Sequence, residues 1–172
     1  GGCGGDSDSG DGAGILCSIP WEYIDQEMNL ENKQDLAKGL GMVFMPNNKE
    51  KIEECKSICE EEAEKLKVNK TAWRTVPVKN EILGPLAKAN APFISQWILF
   101  IDKNNNHDIE KLLFQLRKRI EKKIRETFQN HFWDCEFYFA SLSSQTVVYK
   151  GMVRSEILSE FYQDLKEESF KV

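Results

Sequence analysis

The sequence is poor in histidine and has an odd number of cysteines. It contains two histidines and five cysteines among 172 residues. A small secreted domain held by disulfides needs an even, regularly spaced set of cysteines, so this count favours a reducing compartment. No run reaches the roughly 18 to 20 apolar residues that span a bilayer, and the start lacks the basic and apolar regions of a signal peptide. We expect no membrane partner and a location in the cytoplasm or an organelle stroma.

An excess of positive charge is also missing. Lysine and arginine number 23 against 28 aspartates and glutamates, which gives a net charge of -5 and a pI near 5.2. Binding to a phosphate backbone requires a basic surface, so we expect no nucleic-acid partner. With 41% hydrophobic and 30% charged residues, the chain has enough apolar material for one soluble domain over residues 1–172.

The beginning of the chain, residues 1–14, consists mostly of glycine and aspartate. Glycine raises the entropic cost of a regular element and aspartate competes for backbone donors, so the segment is predicted to be a loop. Asp6, Asp8 and Asp11 alternate with small residues and precede Gly12, an arrangement that can bind calcium. The EF-hand pattern fails, because a cysteine stands where the bidentate glutamate is needed. No metal site is predicted, and an acidic loop that binds calcium or a partner remains the alternative function.

Hydrophobic periodicity predicts strands that alternate with helices. Apolar residues three and four apart predict long helices at 49–66 and 108–128, capped by Asn47 or Asn48 and by Asp108. Strands are expected at residues 15–19, 40–45, 71–78, 93–101, 136–142 and 146–152, with a shorter helix at 21–28. The last two strands are predicted to pair as a hairpin, before a polar helical tail from Ser155. The predicted fold class is α+β.

Four of the five cysteines are interpreted as core residues. Cys55 and Cys59 lie four residues apart on one predicted helical face, a spacing that can also supply half of a metal site. Neither histidine is close to them in sequence, and free cysteine is among the most buried residue types, so both are predicted to pack in the core. Cys17 and Cys135 lie in apolar runs and receive the same interpretation.

Cys3 differs from the others because it lies among glycines in the predicted loop. A thiolate nucleophile needs a base, and a cysteine at the amino terminus of a chain uses its own α-amino group. Gly1 and Gly2 precede Cys3 here. Unless they are removed, Cys3 has no such base, and it is predicted not to be catalytic.

Eight segments resemble, in the same order, the glutamine amidotransferase domain of glutamate synthase. They are residues 4–15 (GGDSDSGDGAGI, followed by Ile19 and Pro20), 41–46 (GMVFMP), 73–78 (WRTVPV), 83–87 (LGPLA), 116–121 (LRKRIE), 140–144 (ASLSS), 148–152 (VYKGM) and 160–165 (EFYQDL). Chance similarity of a single short pattern does not produce so many collinear matches over almost the whole chain. The sequence is therefore identified as a member of that family.

The resemblance implies an amino-terminal-nucleophile (Ntn) fold, a four-layer αββα sandwich of which this chain is a part. In that family a terminal cysteine attacks the side-chain amide of glutamine, its own amine acts as base, and an asparagine–glycine pair forms the oxyanion hole. By the family's order, the nucleophile lies upstream of Gly1, and the oxyanion and substrate-clamping residues lie downstream of Val172. No catalytic residue is predicted within the sequence. The loop beside the active site is predicted to include Cys3, Asp6, Asp8, Asp11 and Gly12.

The same resemblance implies what the whole protein does. It is expected to transfer the amide nitrogen of glutamine to 2-oxoglutarate and so to make glutamate, in the cytoplasm or in a plastid stroma. Glutamine is the expected substrate, and the other domains of the synthase, with FMN and an iron–sulfur cluster, are the expected partners. The electron donor stays open between ferredoxin and a nicotinamide. The segment alone is expected to be inactive, marginally stable and prone to associate, because missing strands leave edges unpaired and apolar faces uncovered.

Overall fold

The computed structural model describes residues 12–30, 35–104, 108–128, 137–167 and 170. Helices and antiparallel strands alternate along them, so the α+β class predicted from the sequence is confirmed. The strands are β1 (Ala13–Ser18), β2 (Leu36–Met45), β3 (Lys70–Thr75), β4 (Phe93–Asp102), β5 (Tyr138–Ser143) and β6 (Thr146–Gly151). The helices are α1 (Trp21–Met28), α2 (Lys49–Lys65), α3 (Pro85–Ala89), α4 (Ile109–Thr127) and α5 (Leu158–Phe161), with short 3₁₀ helices at Asn80–Ile82, Ser155–Ile157 and Gln163–Lys166.

The described strands form two antiparallel sheets. The larger sheet has the order β3-β4-β2-β5, and the smaller one pairs β1 with β6. At the centre of the larger sheet, β2 and β4 run side by side from the pair of Leu36 and Asp102 to the pair of Met45 and Phe93. β4 and the second half of β2 are nearly continuous apolar runs, as expected for strands that are buried on both faces.

Alternate residues of β2 point into two separate cores. Val43 and Met45 pack with helices α2 and α4, whereas Met42 and Phe44 pack with the smaller sheet, α1 and α5. Successive side chains of a strand point to opposite faces, so β2 separates the two cores. The layers are therefore helices, four-stranded sheet and two-stranded sheet, in that order. They are consistent with a part of the αββα sandwich that the resemblance implied.

The two long helices begin at the predicted caps. Of the two asparagines considered, Asn48 is the cap of α2, because its Oδ1 accepts the N–H of Lys51 at 3.1 Å. In α4, Oδ1 of Asp108 accepts the N–H of Lys111 at 3.0 Å. Each cap satisfies one donor that the first turn of a helix otherwise leaves unpaired. None of the helices in the described part of the chain is long and apolar enough to cross a membrane.

The prediction of a hairpin between the last two strands was wrong. β5 pairs with β2 in the larger sheet, and β6 pairs with β1 in the smaller one. In place of a ladder between β5 and β6, the N–H of Val148 donates to the hydroxyl of Ser141 at 3.0 Å. The predicted break between the two strands, after residue 142 and before residue 146, agrees with the structure to within one residue. Contacts with strands distant in sequence decide which strands pair.

The tail from Ser155 is helical, as predicted, but the prediction that it is polar was wrong. Leu158, Phe161, Tyr162 and Asp164 are all buried. This segment consists of short helical turns, which are too brief to show the periodicity of an amphipathic helix. It packs against the core that contains Met42 and Phe44, and its Tyr162 forms an isolated antiparallel β-bridge with Val78.

The remaining differences lie at the ends of strands. β1 begins at Ala13, so the last two residues of the predicted loop belong to a strand. β2 begins at Leu36, before the predicted start at residue 40. β3 ends at Thr75, and beyond it the chain leaves β4, because the N–H of Val76 still donates to the carbonyl of Ile94 but Val78 forms a bridge with Tyr162. The predicted start of the strand at residue 136 lies outside the described residues, and β5 begins at Tyr138.

Candidate functional site

The candidate site is the end of the sandwich at which the glycine- and aspartate-rich segment joins β1. The described part begins there with Gly12, whose φ of 128° is a conformation that residues with a side chain rarely adopt. In the smaller sheet, Ala13 lies opposite Gly151 and Gly14 lies opposite Lys150. The start of β1 and the end of β6 thus form one rim, which we call the loop-proximal rim (residues 12–14 and 150–152).

The two strands pack closely at this rim because Gly14 has no side chain. A Cβ on Gly14 would lie 3.1 Å from the Cβ of Lys150, which is tighter than an ordinary contact. A Cβ on Gly151 would lie 3.5 Å from the ring of Phe161. The rim is therefore held by backbone pairing and by the residues beneath it.

The segment that follows β6 supports the rim from inside the sandwich. The hydroxyl of Tyr162 donates to the carbonyl oxygen of Lys150, and the ring of Phe161 packs against Gly151. The rings of Phe161 and Tyr162 are 4.8 Å apart at their centroids and lie edge to face. The N–H of Lys79 donates to the carbonyl of Phe161 at 2.9 Å. That bond ties the segment to the chain that follows β3.

A buried ion pair between Arg74 and Asp164 fixes the same segment. Arg74 is 6% exposed and Asp164 is 0% exposed. Nη1 of Arg74 donates to Oδ2 of Asp164 at 2.8 Å, and Nη2 donates to Oδ1 at 2.7 Å. Bidentate geometry of this kind is among the strongest that two side chains form. A buried pair also needs further hydrogen bonds to offset the loss of water around both charges.

Four more side chains supply those hydrogen bonds. Oε1 of Gln96 accepts from Nη1 of Arg74 at 2.9 Å, and Nε2 of Gln96 donates to the hydroxyl of Tyr149 at 2.8 Å. The hydroxyl of Tyr149 in turn donates to Oδ2 of Asp164 at 2.8 Å. At the outer side of the pair, the hydroxyl of Tyr23 lies 3.2 Å from Oδ1 of Asp164. We call this set the ion-pair network: Arg74, Asp164, Gln96, Tyr149, Tyr23 and Glu27.

Tyr149, Tyr162 and Arg74 keep their protons through the neutral range. Burial raises the pKa of Tyr149 far above its ordinary value, and the charge of Asp164 raises it further. Burial also raises the pKa of Tyr162. Burial alone would lower the pKa of Arg74, but the hydrogen bonds and charge of Asp164 outweigh it and raise that pKa. The tyrosine hydroxyls therefore remain donors and the guanidinium remains charged.

The turn between β5 and β6 is fixed by the first turn of α4. Oε1 of Glu110 accepts from Oγ and from the N–H of Ser144, at 2.6 and 2.7 Å, and from Oγ of Ser143 at 3.1 Å. Nε1 of Trp21, in α1, donates to the carbonyl oxygen of Ser144 at 3.3 Å. These bonds hold the chain where it passes from the larger sheet to the smaller one.

The prediction that Cys55 and Cys59 pack in the core is confirmed. Both are fully buried, and burial raises the pKa of the Cys59 thiol. Cys17 is half-buried on β1, where its Sγ lies 3.8 Å from the carbonyl oxygen of Val147, and burial raises the pKa of this thiol too. Within the described ranges, no group of three or more histidine, cysteine, aspartate or glutamate residues is placed to hold a metal ion. Cys135 lies outside those ranges.

The structure describes one of the five residues assigned to the active-site-adjacent loop. Gly12 lies at the loop-proximal rim, exposed and with a positive φ. The other four lie outside the described residues, and their assignment to the loop stays a prediction, as does the alternative of a calcium or partner site. They are Cys3, Asp6, Asp8 and Asp11.

Sequence reasoning missed the ion-pair network. Its three central residues come from separate segments that carry the family resemblance: Arg74 from 73–78, Tyr149 from 148–152 and Asp164 from 160–165. The available signal was Arg74 within an otherwise uncharged segment rich in apolar residues, since a buried charge needs a partner. That signal indicates that a partner exists without saying which residue it is.

Comparison with known proteins agrees with the family resemblance of the sequence. The family model for class-II glutamine amidotransferases matches residues 1–172. The chloroplastic ferredoxin-dependent glutamate synthase of Oryza sativa subsp. japonica is 42% identical over 178 residues, which cover 99% of this chain and 11% of that protein. Ferredoxin-dependent glutamate synthase 1 of Arabidopsis thaliana is 41% identical over 175 residues, which cover 99% of this chain and 10% of that protein. Ferredoxin-dependent glutamate synthase 2 of a Synechocystis species is 39% identical over 174 residues, which cover 99% of this chain and 11% of that protein.

The chain spans about a tenth of the length of these relatives. The matches nevertheless extend along nearly the whole chain, as the collinear segments of the sequence indicated. The class-II family belongs to the Ntn hydrolases, which agrees with the layered α+β fold described above. The chain is therefore a member of the class-II glutamine amidotransferase family.

Proposed function

We propose that this chain is part of the glutaminase domain of a glutamate synthase, the domain that releases ammonia from glutamine. The observation that carries the proposal is the similarity along 99% of the chain to proteins named as ferredoxin-dependent glutamate synthases. In the whole protein, the ammonia would be used to convert 2-oxoglutarate to glutamate. The names of the relatives favour ferredoxin over a nicotinamide as electron donor and, in the plant proteins, a plastid location.

The chemistry of the domain is thioester formation and hydrolysis. A cysteine thiolate attacks the amide carbon of glutamine, ammonia leaves, and water then releases glutamate from the thioester. We assign the nucleophile to none of the five cysteines of this sequence. Cys55 and Cys59 are fully buried, and burial raises the pKa of the half-buried Cys17. Cys135 lies outside the described residues, and its apolar run predicts a core residue. By the order of the family, Cys3 belongs to the loop beside the active site.

The residues of this chain act as scaffold in that reaction. The loop-proximal rim joins the glycine- and aspartate-rich segment to the sandwich, and the ion-pair network lies within the core that supports the rim. Glycines in the segment allow a backbone to run close to a reacting centre.

FMN and an iron–sulfur cluster are assigned to other domains of the whole protein. An iron–sulfur cluster needs a convergent set of cysteine thiolates. The three described cysteines do not fit that requirement, because Cys55 and Cys59 lie on α2 and are enclosed in one core, whereas Cys17 lies on β1 against the other core. No step of the proposed reaction in this domain uses either cofactor.

Ammonia release from glutamine by the whole protein tests this proposal. We expect turnover without an electron donor, because amide hydrolysis involves no change of oxidation state. Cys3→Ala is expected to keep measurable turnover, since a thiol that is not the nucleophile can be removed without ending thioester chemistry. A whole protein that releases no ammonia would overturn the proposed function. Complete loss of turnover in Cys3→Ala alone would overturn the assignment of the nucleophile.

A further inference from the structure

We propose that Tyr162, held in place by the ion pair of Arg74 and Asp164, is a positioning residue for the backbone of the loop-proximal rim. The inference rests on the proposed function, because it concerns the placement of the segment that joins β1 at that rim. It assigns to the buried network a role beyond stabilising the core. Three observations lead from the ion pair to the rim.

The first observation is that Asp164 cannot shift without breaking several bonds. Its two carboxylate oxygens accept two hydrogen bonds from Arg74 and a third from Tyr149. Asp164 is 0% exposed, so no water replaces those donors if the side chain moves. Tyr162 lies two residues before this anchor in a short turn, and the N–H of Leu165 donates back to the carbonyl of Tyr162 at 3.1 Å. The position of Tyr162 is therefore fixed by the anchor.

The second observation is that Tyr162 is attached to β6 in two ways. Its hydroxyl donates to the carbonyl oxygen of Lys150. Its ring lies edge to face with that of Tyr149, 5.0 Å between centroids. Because Tyr149 also donates to Asp164, the segment and the end of β6 are joined through both the ring and the carboxylate.

The third observation is that the end of β6 sets the start of β1. Lys150 is paired with Gly14, and Gly151 is paired with Ala13. β1 lies at the edge of its sheet in the described part of the chain, with Ile15 and Leu16 43% and 66% exposed. β6 is thus its paired strand there, and a displacement of β6 at Lys150 moves the backbone of β1.

Hydrogen exchange of the whole protein, followed on peptides from these elements, measures this effect directly. We expect Tyr162→Phe to speed amide exchange of β1 and of the last residues of β6 by about five- to tenfold, because one hydrogen bond that holds the rim is lost while the ring remains. Exchange in α2 and α4 is expected to stay within twofold of the unchanged chain. Equal acceleration in all elements would show a loss of overall stability only and would overturn the proposal.

Steady-state kinetics of the whole protein supply the second measurement. For Tyr162→Phe we expect kcat for ammonia release to fall about tenfold with KM changed less than twofold, because misplacing a loop beside reacting atoms affects the transition state more than binding. The matched control is Tyr23→Phe, which removes a hydroxyl next to Asp164 that makes no hydrogen bond to β6. We expect that change to leave exchange at β1 within twofold.

The two proposals fail in different ways. An unaltered whole protein without glutaminase activity would overturn the proposed function, while the exchange measurement would still test the attachment of the rim. An active whole protein in which Tyr162→Phe changes neither kcat nor exchange at β1 would overturn the positioning role alone. A rise in KM with unchanged kcat would also count against it, because it would indicate an effect on substrate binding.

Discussion

Replacing Arg74 by methionine is expected to lower the free energy of unfolding by about 3–5 kcal/mol, because it leaves the carboxylate of Asp164 buried without a counter-charge. Urea unfolding followed by tryptophan fluorescence measures the change. The matched control is Arg119→Met, since Arg119 is 41% exposed and its buried partner Glu62 keeps a second counter-charge, Lys65, at 3.1 Å. We expect the control to cost at most about 1 kcal/mol.

The double variant Arg74→Met, Asp164→Asn separates the ion pair from the loss of packing. Asparagine keeps an acceptor for Tyr149 and removes the unpaired charge. The double variant is therefore expected to be less destabilised than the sum of its two single variants by about 1–3 kcal/mol. Additive effects would show that the two side chains contribute independently and would contradict the description of a coupled buried pair.

Alkaline pH is expected to destabilise the chain steeply above about pH 10, where an unfolded tyrosine titrates. Burial, and then the charge of Asp164, raise the pKa of Tyr149 above its unfolded value. Above pH 10 the folded state thus holds a proton that the unfolded state has lost. The contribution of Tyr149 is complete below pH 10 and falls by about 1.4 kcal/mol per pH unit as the pH rises toward its folded pKa.

Urea midpoints measured from pH 8 to pH 11 test this expectation. Tyr149→Phe is expected to reduce the loss of stability above pH 10 by about 1.4 kcal/mol per pH unit relative to the unchanged chain. Below pH 9 the variant is expected to be the less stable of the two, because Asp164 loses a donor and Gln96 an acceptor. Parallel pH profiles of the two proteins would contradict the burial of a protonated Tyr149.

Local signals in the sequence were sufficient for the long elements. α2 and α4 have apolar residues at helical spacing and begin at Asn48 and Asp108, whose side chains bond within the same turn. Helix periodicity and capping involve residues a few positions apart, so a single sequence contains all the information they need. The helix at Trp21–Met28 was also predicted with its observed bounds, from the position of Pro20 at its start.

Strand pairing was not predictable from local signals. The turn at Ser143 and Ser144 is compatible with a hairpin, but β5 pairs with β2 and β6 pairs with β1. β-structure is set more by tertiary contacts than by intrinsic preference. Those contacts cannot be inferred from the local pattern of a single sequence.

For the candidate site, the sequence predicted the segments that contribute residues but not the contacts between those residues. The resemblance identified the segments that contain Arg74, Tyr149 and Asp164, but no periodicity links residues 90 and 15 positions apart. The turns around Asp164 are short and their glutamates resemble those of a solvated helix, which led to the incorrect prediction of a polar tail. The sequence shows the chemical character of each of these residues. Which of them come into contact is decided by the fold.

The central claim is that this chain is scaffold of a glutaminase domain and that none of its cysteines is the nucleophile. The most direct test treats the whole protein with an electrophilic analogue of glutamine and maps the modified residue by mass spectrometry. We predict loss of ammonia release together with a single adduct on a cysteine outside the five of this sequence, prevented by excess glutamine. A glutamine-protected adduct on Cys3, Cys17, Cys55, Cys59 or Cys135 would contradict it.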